Sequence, residues 1–451
     1  MWSTLVPILC CLTVAAVDDE LVSPGMQWTF RGDVRPANRQ QPATGSTAVK
    51  NFDVTFWVRE ADDASAQLYW LVDERGAGQW PWIERFGRLA LDAAYRPVGP
   101  MGPALLYDYG DGKSALPLGV PLLKPAEPPA KGVAWQQDNL EMEVEGSASV
   151  ADRDCWRIDV RTASAPKRTV WLEKGSPLVV ALEERVFMDR GTEYQLQWKF
   201  VGAERLDPTA FQATERTLDE LIALRNKLKR PQRSQSEDFS AEQRELLAAE
   251  LPKIAPRVEA GSLAELLRTA MNELKTQAGR ADAVASLREK FIGKPVPTFV
   301  LEGLGDEHLT NAEVRGKVTI LHFWEYRNEP LKEPYGQIGY LEFLHSRRGS
   351  EGVQVFGVAV DGRLQKPQTR PAAVSSVRKL KEFMNLTYPI LLDDGRVLGQ
   401  FGDPRTLGAP LPLYVVIDRQ GNVADYHVGL HTVDRQEGLK DLDSLVRELA
   451  E

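Results

Sequence analysis

Polar and apolar residues alternate with a period of two in several short stretches between residues 132 and 207. Leu140, Met142 and Val144 are separated by Glu141, Glu143 and Glu145. Trp156, Ile158 and Val160 alternate with Arg157, Asp159 and Arg161, and Tyr194, Leu196, Trp198 and Phe200 alternate with polar neighbours. Two further runs, residues 169–172 and 178–188, lie between them. Successive side chains of a strand point to opposite faces, so this pattern predicts an antiparallel meander with one buried face. Upstream, residues 51–58 and 67–72 are rich in β-branched and aromatic side chains and also predict strands. The proline-rich stretch 116–131 predicts a loop crossing a surface. Residues 20–207 thus read as a β-rich N-terminal domain built on a curved antiparallel sheet.

Between residues 208 and 290 the period lengthens. Leu218, Leu221, Ile222 and Leu224 predict a helix over 217–229, and Leu263, Leu266, Leu267, Ala270, Met271 and Leu274 predict another. Ser240 with Gln243, and Ser262 with Glu265, fit the capping box that satisfies free amides at a helix start. A polar breaker over 230–238 separates the two, and the zone reads as a helical connector.

From residue 291 to 451 strands and helices alternate. Residues 318–324 are almost continuously apolar, as a central strand covered on both faces must be. A helix is expected over 330–347, a buried strand over 353–361, a helix over 372–384, a hairpin of 413–418 with 423–429, and a last helix over 436–449.

Five short patterns occur in order here. They are Gly293-Lys294-Pro295 with Pro297 and Phe299, Leu309 with Gly316-Lys317-Val318, Phe323-Trp324, Val360-Asp361, and Pro412 with Ile417-Asp418 and Gly421. On these residues the segment resembles the exported thiol–disulfide oxidoreductases of bacteria and the related alkyl-hydroperoxide-reductase/thiol-specific-antioxidant (AhpC/TSA, TlpA-like) family. The resemblance implies an α/β thioredoxin-like C-terminal domain, here preceded by the mainly antiparallel β domain and the helical connector. It also implies a Cys-x-x-Cys at a helix start just after Phe-Trp, where the helix end lowers the thiol pKa and a second cysteine resolves the mixed disulfide. In this chain the residues after Trp324 are Glu325, Tyr326, Arg327, Asn328, Glu329, Pro330 and Leu331, so the two cysteine positions fall on Asn328 and Leu331. No cysteine occurs after Cys155, which excludes a shifted motif and a peroxidatic cysteine within this segment.

The resemblance marks Pro412 as the proline that is cis in the family and guides an extended substrate. Pro330 suits a first helical turn and Asn328 its N-cap. Trp324, Tyr326, Arg327, Asn328, Glu329 and Pro412 are therefore the expected lining of a binding groove, with no catalytic residue. His427 and His431 are close in sequence, but in a strand and following loop a spacing of four need not bring them together. His322 reads as a packed core residue. Asp393-Asp394-Gly395 reads as a turn. No His-Glu-x-x-His, Cys-x-x-Cys or Gly-x-Ser-x-Gly pattern appears, so no metal, cofactor or serine nucleophile is expected.

The formal net charge of −9 argues against nucleic acid as a partner. Residues 5–17 form an apolar run too short to span a membrane, which takes about 20 residues. Val14, Ala15 and Ala16 then resemble a cleavage site, although no Lys or Arg precedes the run. Residues 1–16 thus read as a signal peptide, with export to the periplasm or cell envelope and no spanning segment after its removal. Cys155 would then be the one thiol left, in an alternating strand.

The expected function is a redox-inactive binding or scaffold protein with an unknown protein client. Two alternatives stay open. One is a thiol–disulfide oxidoreductase or peroxidase, as family membership implies, with Cys155 supplied across domains. The other is a lipid or lipoprotein carrier, because a curved sheet with an apolar concave face is similar to the periplasmic lipoprotein-carrier fold.

Overall fold

A computed structural model describes residues 21–37, 49–62, 64–76, 81–99, 102–109, 112–137, 139–162, 166–188, 191–228, 238–305, 307–325, 337–434 and 436–451. The expected signal peptide, the polar breaker and the loop 326–331 lie outside these residues, apart from Asp238. The chain divides into two compact units, residues 1–274 and 275–451.

Unit 1 is built on β1 (Met26–Pro36), β2 (Lys50–Ala61), β3 (Ser65–Gly76), β4 (Phe86–Asp92), β5 (Pro97–Val98), a separate hairpin β6 (Ala104–Tyr109) and β7 (Gly112–Pro117), β8 (Ala134–Gln137), β9 (Leu140–Val150), β10 (Arg153–Arg161), β11 (Pro166–Glu173), β12 (Val179–Met188) and β13 (Thr192–Arg205). Apart from the hairpin, these form one antiparallel sheet in the order β5-β4-β3-β2-β1-β13-β12-β11-β10-β9-β8. The long-range pair is β1 with β13, which joins two meanders into one sheet. The period-two stretches of the sequence fall on β9, β10 and β13, and their inward residues Met142, Val144, Ile158, Val160, Leu196, Trp198 and Phe200 are buried together.

One face of the sheet is a packed core. Phe30 meets Phe56, Trp198 and Phe200 edge-on at ring separations of 5.8, 5.1 and 5.5 Å, a geometry favoured by ring quadrupoles. Leu105 and Leu116 of the β6–β7 hairpin, with Leu118 and Leu122 of the following segment, pack into the same cluster. Trp198 Nε1 donates to the Leu118 carbonyl at 2.8 Å, which ties that crossing segment to the sheet.

The opposite face of β2–β4 carries Trp57, Tyr69, Leu71 and Phe86, covered by α1 (Pro208–Lys227), α2 (Ala241–Ile254) and the first part of α3 (Gly261–Phe291). Helix α1 starts nine residues before the apolar spacing alone indicated. Asp207 caps it by accepting from the Thr209 and Ala210 amides, each at 3.0 Å, with Pro208 in the first turn. The capping box of Ser240 and Gln243 is present at α2. That of Ser262 is not, because α3 already begins at Gly261, and the Ser262 hydroxyl lies 3.3 Å from that of Thr55.

Unit 2 contains β14 (Val300–Gly303), β15 (His308–Thr310), β16 (Val318–Glu325), α4 (Ile338–Arg348), β17 (Val353–Val360), α5 (Arg370–Phe383), β18 (Ile390–Asp393), α6 (Arg396–Gln400), β19 (Leu413–Ile417), β20 (Val423–Val428) and α7 (Lys440–Ala450). The sheet order is β15-β14-β18-β17-β16-β19-β20. Strands β16, β17 and β18 are parallel, and β19 and β20 continue the sheet antiparallel. Val318, Ile320 and Trp324 pack with α4, α5 and α7 on one face, while Leu321 and Phe323 pack with Phe291, Phe299 and Phe401 on the other. Every residue of β16 except Glu325 is buried, which is why its sequence shows no alternation.

The last helix starts at Lys440, later than its apolar spacing indicated, because Asp434 accepts the Gln436 and Glu437 amides and holds a turn there. Asp393 is more than a turn residue: it is buried, and its carboxylate accepts the Val397 and Leu398 amides at 3.1 and 2.8 Å at the start of α6. Among the described residues no helix is long and apolar enough to cross a membrane, which says nothing of membrane-crossing strands.

Among the described glycines of unit 1, Gly32 has the least room for a side chain. A Cβ there would stand 2.4 Å from both the Gln197 carbonyl oxygen and Phe52 Cζ, and 2.7 Å from Trp198 Cβ. Gly32→Ala is expected to destabilise unit 1 by about 1–3 kcal/mol, the usual range for overpacking a core. Urea unfolding followed by intrinsic fluorescence checks this, and an unchanged midpoint contradicts the packing described.

Candidate functional site

The candidate site lies at the carboxyl end of β16. The ladder with β19 ends on Phe323 opposite Leu413, so Trp324 and Pro412 are the first residues past it. On the other side Trp324 pairs with Ala359 of β17. The Leu411–Pro412 bond is cis. Pro412 itself is buried, and its carbonyl accepts the Gly429 amide at 2.7 Å. Trp324 is buried as well, whereas Glu325 is exposed. Of the expected groove, Trp324 and Pro412 are thus brought to one edge, and Tyr326, Arg327, Asn328 and Glu329 lie outside the described residues, as does the second vacated cysteine position, Leu331.

A charged cluster stands at the same edge. Arg405 pairs with Glu325 and, at 2.6 Å, with Asp403. Burial raises the Asp403 pKa, but hydrogen bonds from the Arg405 side chain and amide outweigh it and hold the carboxyl below its ordinary value. Arg405 is in turn raised, chiefly by its bond to Asp403. These charges fix the segment 403–407 against the end of β16.

Beneath the edge lies a group of polar rings that the sequence did not reveal. His322, Tyr414 and His427 stand side by side in register across β16, β19 and β20. Tyr414 lies 4.5 Å from His322 and 4.6 Å from His431, ring centre to ring centre. His427 and His431 stack at 3.9 Å with their planes 16° apart. The turn that permits this is at Gly429, with φ of 95°, a conformation open to glycine at no steric cost. Gln337, 1% exposed, ties the group together. Its Oε1 accepts from Tyr414 Oη at 2.8 Å and from the His431 amide at 3.0 Å, and its Nε2 donates to the His431 carbonyl at 2.7 Å.

Both histidines of the stack have a buried Nε2 without a hydrogen-bond partner among the described residues. Burial lowers the pKa of both, and His427 lowers that of His431 further, to about 4. The rings are therefore neutral near pH 7. No group of three or more His, Cys, Asp or Glu positioned for a metal occurs among the described residues.

Residues 292–426 match the family model of the AhpC/TSA family. The C-terminal unit has a thioredoxin-like fold and is similar to the AhpC/TSA family. Its relatives include the thiol-disulfide oxidoreductase ResA of Bacillus thuringiensis (strain Al Hakam), 27% identical over 156 residues that cover 34% of this chain and 78% of that protein. Another is the thioredoxin-like protein YneN of Bacillus subtilis (strain 168), 24% identical over 151 residues, 34% of this chain and 79% of YneN. Among solved structures, a putative thiol:disulfide interchange protein DsbE from Chlorobium tepidum is similar to 36% of this chain over 98% of its own length, with 21% identity and a TM-score of 0.27. The AhpC/TSA match ends at residue 426, so His427 and His431 lie just beyond it.

The neutral stack makes a pH prediction. A histidine whose pKa is lower folded than unfolded, where it is about 6.5, stabilises the fold fully above that value. The contribution is lost as the pH falls from about 6.5 towards 4. Amide protection factors over 413–431, corrected for the intrinsic pH dependence of exchange, should fall across that interval, and His431→Phe, which keeps a ring and cannot be protonated, should blunt the change. An equal fall in protection in both proteins would mean that the stack does not titrate as its burial requires.

Proposed function

We propose that this chain is a redox-inactive binding or scaffold protein of the bacterial envelope, exported by its N-terminal segment. In this reading the thioredoxin-like unit grips a protein client at the edge where β16 ends, above the buried Trp324 and Pro412, through the residues 325–331. One observation carries the proposal: from residue 156 to 451 the sequence contains no cysteine. A thioredoxin-like unit exchanges electrons through thiolates, and Asn328 and Leu331 supply none.

The relatives' names favour a second reading, a working thiol–disulfide oxidoreductase that draws on Cys155. The surroundings of Cys155 weigh against it. The residue is fully buried in the core of unit 1, and its Sγ lies 3.5 Å from the Arg153 carbonyl. Burial, reinforced by Glu173, pushes the thiol up to about 11, so little thiolate exists at neutral pH.

The test uses the full chain in insulin reduction and hydrogen peroxide consumption. Both rates should equal the uncatalysed background. A rate above background that vanishes when Cys155, or Cys10 and Cys11, are replaced by serine would overturn the proposal. In the same preparation Cys155 should react with a thiol reagent at least about a hundredfold more slowly folded than in denaturant, given the buried, protonated thiol.

A further inference from the structure

The strands and loops of unit 1 form a hollow with a partly apolar lining. It has a volume of about 580 Å³, inside the range of about 300–1,000 Å³ typical of small-molecule sites. Its inner wall is Leu123 and Leu172, both buried in the core, and its outer wall is formed by the half-buried side chains of Val22, Ala61, Tyr95 and Trp156. Tyr95 holds a φ of 55°, which is uncommon for a bulky residue and is the kind of strain that persists where surroundings over-determine it.

The charges around this hollow are unequally committed. The Asp62 carboxylate accepts the Ala64 and Ser65 amides at 2.9 and 2.7 Å. Glu173 pairs through Oε1 with Arg153 at 2.5 Å, and its Oε2 is buried without a hydrogen-bond partner. The Ser176 hydroxyl accepts the Leu178 amide at 3.2 Å. Among the described residues two ammonium groups have no carboxylate partner. Lys124 Nζ lies 6.0 Å from the ring centre of Tyr95, and Lys174 Nζ lies 4.8 Å from that of Trp156, so each cation is held over an aromatic wall of the hollow.

We propose that this hollow binds an anionic amphiphile, a single apolar chain ending in a carboxylate or phosphate. The chain lies against Leu123, Leu172, Tyr95 and Trp156, where it removes apolar surface from water. The head group stays at the rim, where the uncommitted Lys124 and Lys174 attract it. The free Oε2 of Glu173 sets the polarity of binding: it repels a negative head from the inner wall and leaves that wall to the chain.

Titration calorimetry on the full chain tests this with four probes of equal chain length, each below its micelle concentration: dodecanoate, dodecyl phosphate, dodecyltrimethylammonium and dodecyl maltoside. Inorganic phosphate is the fifth. One or both anionic amphiphiles should bind saturably at one site per chain, and which binds more tightly identifies the head. The cationic and neutral probes should bind at least about tenfold more weakly, and inorganic phosphate not measurably. Lys124→Glu with Lys174→Glu should weaken the anions by about tenfold or more, with the fold retained by circular dichroism. Absence of saturable binding by either anion, equal binding of the cationic probe, binding of phosphate alone, or indifference to the lysine reversals would each overturn the proposal.

Discussion

The ladder that seats β16 between β17 and β19 is the constraint on which the thioredoxin-like unit depends. Eight consecutive pairs run from Val318–Val353 to Glu325–Val360 on the parallel side, and five from Thr319–Ile417 to Phe323–Leu413 on the antiparallel side. A slip of one residue would move Leu321 and Phe323 to the α4 face and expel them from contact with Phe401. Because both faces are dry, such a slip is strongly disfavoured, and the register dictates what stands at the strand end. It places Trp324 beside cis-Pro412 and sends Glu325 into solvent to meet Arg405. The scaffold thus presents its edge whether or not a thiol follows, and electron exchange is a separate requirement met by two side chains.

The polar rings behind this edge follow from the same register. Pairing His322 with Tyr414, and Tyr414 with His427, puts three ring-bearing side chains in a row, and Gly429 folds His431 back onto the end of it. Such a group is costly to bury unless its polar atoms find partners. Gln337 supplies much of this by using both ends of its amide, which binds the loop after β20 to the start of α4. The two Nε2 atoms left over can be tolerated only on neutral imidazoles, since a cation there would face burial and a stacked neighbour together. The unit therefore keeps a buried polar cluster directly behind the carboxyl end of β16.

Much of this was legible from residue patterns, and the exceptions share a cause. Period-two stretches identified β9, β10 and β13 because one face of each is wet. The unbroken apolar run identified β16 because neither face is. Pro412 was marked by the family resemblance, and its peptide bond is cis. The start of α1 escaped because a cap is a local signal, Asp207 before Pro208, that precedes the apolar spacing. The His427–His431 stack escaped because a spacing of four has no fixed meaning where a strand ends. A left-handed glycine turn decides it, and Gly429 is recognisable as such only once the ladder around it is known. Gln337 is invisible for a stronger reason: its partners are 77 and 94 residues away in sequence.

Unit 1 shows why an apolar sheet face does not by itself make a cavity. The concave-face alternation suited a carrier as well as a core, since both put the same residues on one side of the strands. The difference lies in Leu105, Leu116, Leu118 and Leu122, which enter the face, and in the Leu118 carbonyl, which takes the Trp198 indole. Where this crossing segment runs, the face is filled. Where it leaves the sheet, after Leu123, the apolar wall of Tyr95 and Trp156 is only partly covered, and Lys124 and Lys174 stand over it without a carboxylate partner among the described residues. A binding reading for this unit therefore rests on a rim that its own chain leaves open, and not on the alternation that first suggested it.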